Sequence, residues 1–223
     1  MSQSSFETLS KEVDQLGRLI GDVIREVAGD EGFELVESVR KMIRELRSGN
    51  REREEELDRV IANVDKEQII ILTRAFTIFL ELSNLAEDRQ RVRVLHDRKQ
   101  HAYPEPAKET IRAIIKQFHD QGHTDEQVQK FVNTARVELV LTAHPTEAKR
   151  RSIRRLLNDL RKLLDRQDTH DLLPHKRERI PSEVKAQLRK LWQTDFIRSR
   201  RPTVLQEAQR GLAYKDVLWD IVP

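Results

Sequence analysis

The chain has no cysteine. That excludes disulfides, thiolate metal centres and a cysteine nucleophile, and it suits the cytosol without deciding the compartment. Glycine and proline number only 7 each in 223 residues, and aromatic residues make up 5%. So few turn-forming residues leave little room for an all-β domain and point to long helices. No uninterrupted apolar run approaches the roughly 18 residues of a membrane span. The opening residues, Met1-Ser2-Gln3-Ser4-Ser5-Phe6, lack the basic and apolar regions of a signal peptide. Neither charge sign dominates: 41 Lys and Arg face 38 Asp and Glu, a net charge of +3. Bulk electrostatics alone therefore does not point to nucleic acid. No internal repeat or low-complexity tract is visible.

What is present is helical patterning in a chain that is 37% hydrophobic and 35% charged. Leu9, Val13, Leu16, Ile20, Val23 and Val27 alternate steps of four and three, predicting a first amphipathic helix. Gly17 and Gly21 on it would permit close approach of a neighbouring element. Leu35, Val36, Val39, Met42, Ile43 and Leu46 repeat the pattern up to the Ser48-Gly49-Asn50 break. Arg51 to Glu56 opens a third helix with a solvated, highly charged face. Asp65-x-x-Gln68 starts a long helix running to about Lys99, and His101 to Pro106 forms a loop. A helix bearing Ile111, Ile114, Ile115 and Phe118 ends at Gly122, and Thr124-x-x-Gln127 is a capping box for the next. A helix from Thr146 to about Arg166 is followed by a polar loop to Pro181, then helices from Ser182 and from Thr203.

One segment departs from this helical pattern. Residues 137–142 (Val-Glu-Leu-Val-Leu-Thr) are a short apolar run suited to a buried strand. Pro145 biases His144 away from helical φ/ψ, so the strand should end at this histidine. Thr146 can cap a new helix whose free N–H groups face the imidazole. A helix N-terminus favours phosphate or carboxylate and disfavours imidazolium, so His144 would stay neutral and able to accept a proton.

The string Val140-Leu-Thr-Ala-His-Pro-Thr-Glu-Ala-Lys-Arg-Arg151 resembles the histidine signature of phosphoenolpyruvate carboxylase, and the match is complete. Residues 16–37 look like that family's first helices. Phe76 to Glu87 is similar to its long apolar helix ending Asn-Leu-Ala-Glu. Leu191 to Pro223 is similar to a stretch running from Leu-Trp-x-Thr-Asp-Glu-Ile-Arg to Leu-Trp-x-x-Val-Pro, with Phe196 in place of the family's Glu. Family enzymes are several times longer, so the resemblance covers only their N-terminal portion and the chain reads as a fragment. It implies a mainly α chain: an N-terminal helical region at 1–136, then the incomplete start of a (β/α)8-barrel-like catalytic domain at 137–223. His144 would then sit at the C-terminal end of a barrel strand, where barrel enzymes carry their chemistry.

The implied reaction joins phosphoenolpyruvate and bicarbonate into oxaloacetate and phosphate, through carboxyphosphate and an enolate. A base working near neutral pH must take the carboxyl proton as carboxyphosphate decomposes, and the resemblance implies His144 for it. Mg2+ or Mn2+ would stabilise the enolate oxygen. The family's metal ligands, phosphate-binding arginines and glycine-rich loop are expected beyond residue 223, so this chain alone is expected to be inactive. Thr146, beside the histidine, is a candidate substrate contact. Trp219 matches a family tryptophan associated with bicarbonate or substrate, and a core aromatic beside Leu218 and Tyr214 is an equal reading. Arg150 and Arg151 match a pair that binds sugar-phosphate activators in some members, through guanidinium forks suited to phosphate. The resemblance further implies a cytoplasmic, allosteric homotetramer that replenishes the tricarboxylic acid cycle and touches neither membrane nor nucleic acid.

Each candidate has a plainer counterpart. An arbitrary His-Pro after a strand is usually a structural histidine bonded to a carbonyl; the complete signature favours the catalytic role. His119 and His123 have metal-like spacing, but Gly122 at a helix end separates them. His96, His101, His170 and His175 lie in polar sequence and read as solvated, and Trp192 reads as core beside Leu188 and Leu191. Two other classes stand behind the carboxylase: a non-catalytic helical assembly domain, and a nucleic-acid-binding module using the basic face of 149–166.

Overall fold

The computed structural model describes residues 3–108, 110–136, 138, 150–168, 172–196 and 203–212. Among them are eight helices and no strand: α1 (Gln3–Arg47), α2 (Arg53–Asn63), α3 (Lys66–Ala102), α4 (Ile111–Asp120), α5 (Asp125–Thr134), α6 (Arg151–Gln167), α7 (Pro174–Trp192) and α8 (Val204–Leu212). The helical reading of the sequence is met. The strand expected at 137–142 lies outside the described residues, apart from Glu138.

The two helices expected before residue 47 form one element broken at Gly29, whose φ of 74° and ψ of 176° are not helical. That backbone region is nearly closed to residues with a Cβ, which is why glycine stands at the break. The two arms fold against each other. A straight helix would separate residues 21 and 33 by roughly 18 Å. Instead the Phe33 ring lies 3.1 Å from where a Cβ on Gly21 would stand. The Arg25 guanidinium sits 4.0 Å from the centroid of the same ring and pairs with Asp30 at 3.1 Å across the break. The close approach expected at Gly17 is also met, by Phe79 at 3.6 Å.

The chain forms two compact units, one of residues 1–91 and 149–196, the other of 92–148 and 197–223. The buried core belongs to the first. It gathers Leu16, Ile20, Val23, Ile24, Val36, Val39 and Met42 of α1 with Leu72, Ala75, Ile78, Leu82, Leu85 and Ala86 of α3. Ile153, Leu160 and Leu164 of α6 and Ile180, Val184, Leu188, Leu191 and Trp192 of α7 complete it. Trp192 is core, as its neighbours predicted. In the second unit α4 and α5 bury no residue fully; Phe118 meets Phe131 and His123 edge-on, at 5.3 and 5.4 Å between ring centroids.

Helix ends follow the capping chemistry read from sequence. Asp65 and Gln68 bond reciprocally before α3 at 2.8 and 3.0 Å, and Thr124 with Gln127 makes the capping box of α5. α3 is long and apolar enough to cross a membrane by composition. A third of its apolar stretch is buried in the core, Arg74 lies within that stretch, and Ile69, Ile70 and Leu80 are exposed. The loop expected from His101 yields its first two residues to α3.

Two boundaries differ from expectation. The polar loop foreseen up to Pro181 is largely helix, since α7 begins at Pro174 and carries Pro181 within it. An interior proline loses one hydrogen bond and crowds a carbonyl. Residues 174–179 before Pro181 are exposed, and the buried face of α7 begins at Ile180 and continues through Val184, Leu188 and Leu191. At the other boundary, α6 begins at Arg151, because Arg150 is extended at φ −60° and ψ 143°; the start expected at Thr146 lies outside the described residues.

Candidate functional site

The described part of the signature is its basic end. His144, Thr146 and Trp219 lie outside the described residues. Arg150 caps α6 through its backbone, with its carbonyl accepting the Arg154 N–H at 3.2 Å, and no side chain caps this helix. Arg151, Arg154 and Arg155 are exposed on the first two turns, where no acidic residue stands. The partial positive charge of a helix start is thus joined by guanidinium groups, with no carboxylate in the helix's own first turn. Such an end favours an approaching anion.

The other end of α6 is equally unusual. Asp165 and Asp168 sit at its C-terminus, where the dipole already carries partial negative charge. Both are held by Arg89 of α3, whose Nε donates to Asp165 at 2.8 Å and whose Nη2 donates to Asp168 at 3.0 Å. Arg89 also pairs with Glu12 of α1, and its side chain is only 3% exposed. Next to it, Gln90 donates to the buried Ser5 hydroxyl at 2.8 Å. The sequence reading passed over Arg89. The available signal was its phase, since Ala75, Ile78, Leu82, Leu85, Ala86 and Arg89 fall on one buried face of α3.

The apolar stripe predicted on the signature helix is correct: Ile153, Leu160 and Leu164 are buried, with Leu156, Leu157 and Leu163 packed beside them. Its opposite face is partly engaged. Arg161 pairs with Asp88 at 2.9 Å and Arg166 with Glu183 at 3.6 Å. Lys162 and Arg166 also line a shallow groove of about 270 Å³ with Asp159, Leu163, Glu183, Ala186 and Gln187. Phe196, where the resembling family carries Glu, packs against the core, so this chain puts an apolar contact in that place.

No group of three His, Cys, Asp or Glu among the described residues could hold a metal ion. The described residues therefore do not fit the divalent ion that the resemblance implies, and none can be named as its ligand. His119 and His123 flank the end of α4, with His123 against Phe118.

Comparison with known proteins extends the local resemblance to the whole chain. A family model described as "Phosphoenolpyruvate carboxylase" matches residues 9–223. The phosphoenolpyruvate carboxylase of Roseiflexus castenholzii is 40% identical over 220 residues, covering 97% of this chain and 23% of that protein. Those of Acinetobacter baumannii and Haemophilus influenzae are each 33% identical, covering 100% and 98% of this chain and 25% and 24% of their own lengths. The chain thus spans about a quarter of the length of the curated relatives it matches.

Proposed function

The chain belongs to the phosphoenolpyruvate carboxylase family, and from that premise we propose that it supplies the base-bearing portion of a carboxylase. The observation that carries the reading is the complete signature Val140–Arg151 within a family match spanning residues 9–223. The proposed reaction begins when a bicarbonate oxygen attacks the phosphorus of phosphoenolpyruvate, releasing the enolate and forming carboxyphosphate. His144 then takes the carboxyl proton, the C–O bond to phosphate breaks, and carbon dioxide and phosphate result. The enolate carbon attacks carbon dioxide to give oxaloacetate. A base suited to this step is neutral near pH 7, and histidine is the one side chain of the signature with that property. When bound, a divalent cation would supply charge stabilisation for the enolate. Thr146 and Trp219 are proposed substrate contacts, and Arg150 with Arg151 a proposed seat for phosphorylated or acidic effectors. A tetrameric, cytoplasmic enzyme of anaplerotic carbon fixation is part of the same reading. By itself the 223-residue chain is expected to be inactive.

The test is His144→Asn in a polypeptide of the family's full length carrying this sequence, with oxaloacetate and phosphate measured separately. Oxaloacetate should fall by orders of magnitude, while phosphate release from phosphoenolpyruvate partly survives, because carboxyphosphate forms without this base. Near-normal oxaloacetate production would remove His144 from the mechanism.

A further inference from the structure

We propose that Arg89 is a positioning residue that holds α6, and with it the arginine-bearing first turns of that helix, in the place the carboxylase needs. This rests on the reading that the signature and the helix following it serve the reaction. The ground for it is the charge order of α6, which runs against its own dipole at the start and, apart from Arg166 in the last turn, at the end. Arg150, Arg151, Arg154 and Arg155 crowd the positive end, while Asp165 and Asp168 sit at the negative end. Charges in these places work against the dipole of the helix that carries them. Local preference therefore works against α6 in this register, and a tertiary contact must hold it.

Arg89 is that contact. Its guanidinium is withdrawn from water and binds carboxylates of two elements at once: Glu12 on α1, and Asp165 and Asp168 at the end of α6. A buried guanidinium short of carboxylates is unfavourable, and shifting α6 along its axis would take two of the three from Arg89, leaving only Glu12. Asp88, beside Arg89, meets Arg161 one turn before Asp165, at 2.9 Å. Opposite signs at successive positions on α3 thus meet opposite signs at successive turns of α6. Sliding the helix by a turn would bring Asp165 towards Asp88, like charge against like. The buried residues Ile153, Leu160 and Leu164 set which face of α6 turns inward; Arg89 fixes how far along its axis it lies.

The least disruptive variant is Asp165→Asn with Asp168→Asn, which keeps the shape of both side chains and leaves Arg89 its Glu12 partner. In this chain, hydrogen exchange over residues 151–158 should accelerate, while the core amides of α7 keep their protection. Unchanged exchange in α6 would overturn the proposal. In the full-length carboxylase, kcat and KM for phosphoenolpyruvate are measured at a temperature where thermal melts show the variant folded. A several-fold fall in kcat/KM is expected, with Arg89→Lys retaining more activity than Arg89→Gln. A lowered melting temperature with unaltered kcat and KM would mean a purely structural contact and would overturn it too. His144→Asn in the same polypeptide separates the two readings. If that variant keeps full oxaloacetate formation the base assignment falls, while the kinetic effect at Asp165 and Asp168 stands or fails on its own.

Discussion

Arg74, inside the most apolar stretch of α3, donates from Nη1 to the backbone carbonyl of Trp192 at 3.1 Å, across 118 residues of sequence. Its Nη2 donates to Asp195 at 2.8 Å. The last carbonyls of α7 have no partner within the helix, and the guanidinium supplies one of them while neutralising the carboxylate that follows. One cation thereby ties the end of α7 to α3 and fixes where the chain leaves the core.

Arg74→Met keeps the length and apolar stem of the side chain and removes both bonds. Because the side chain is one-third exposed, water takes up part of the lost pairing, and the expected destabilisation is about 1–2 kcal/mol. Urea unfolding of this chain should show a lower midpoint with an unchanged slope. A midpoint equal to wild type would mean the clamp contributes nothing.

Two glycines of α1 should respond oppositely to alanine. Gly29→Ala forces a Cβ into backbone geometry reserved for glycine and should cost about 1–3 kcal/mol. Gly17→Ala meets only the Phe79 ring at an ordinary 3.6 Å and gains helix propensity, so it should be neutral or stabilising. Thermal midpoints of the two variants decide this. Equal losses would mean that the break at Gly29 is not what requires glycine.

Glu26 of α1 accepts from Lys185 at 2.6 Å and pairs with Arg189, both on α7. Hydrogen bonds from the Lys185 ammonium and then the Arg189 guanidinium hold its carboxyl below the usual carboxylate range. A depressed folded-state pKa contributes stability that is present above the unfolded value and lost as pH falls through the folded one. The wild type should therefore exceed Glu26→Gln in stability near neutral pH, with the gap closing below about pH 4.5 as the carboxylate protonates. Denaturation series at several pH values check this; a gap that widens on acidification would contradict the ion-pair account.

Arg150→Ala with Arg151→Ala, in a full-length carboxylase carrying this sequence, should alter the response to sugar phosphates and acidic metabolites more than basal turnover. The motive is the arginine-rich start of α6, whose own first turn carries no carboxylate. Kinetics with and without effectors test it. A lost basal rate with an unchanged effector response would move the pair to the reaction centre.

Periodicity and capping determined much of this protein directly. The faces bearing Leu16 to Val23, Val36 to Met42 and Ile153 to Leu164 could be read because burial selects residues three and four apart on a helix, while Val27 of the first stripe is exposed. The starts of α3 and α5 were written in Asp65-x-x-Gln68 and Thr124-x-x-Gln127, since capping is local chemistry. The signature itself carried the family. Tertiary structure alone decided what depended on distant partners. α7 begins at Pro174 and carries Pro181 within it, against the local preference of that residue, and α1 folds back at Gly29 with Phe33 seated against Gly21. The apolar stretch around Arg74 and the phase of Arg89 hint at burial, but nothing in the sequence names their partners. Only the folded arrangement brings carbonyl and carboxylate groups from α7, α6 and α1 to them, because ion pairing and hydrogen bonding depend on separation in space, and sequence spacing does not encode it.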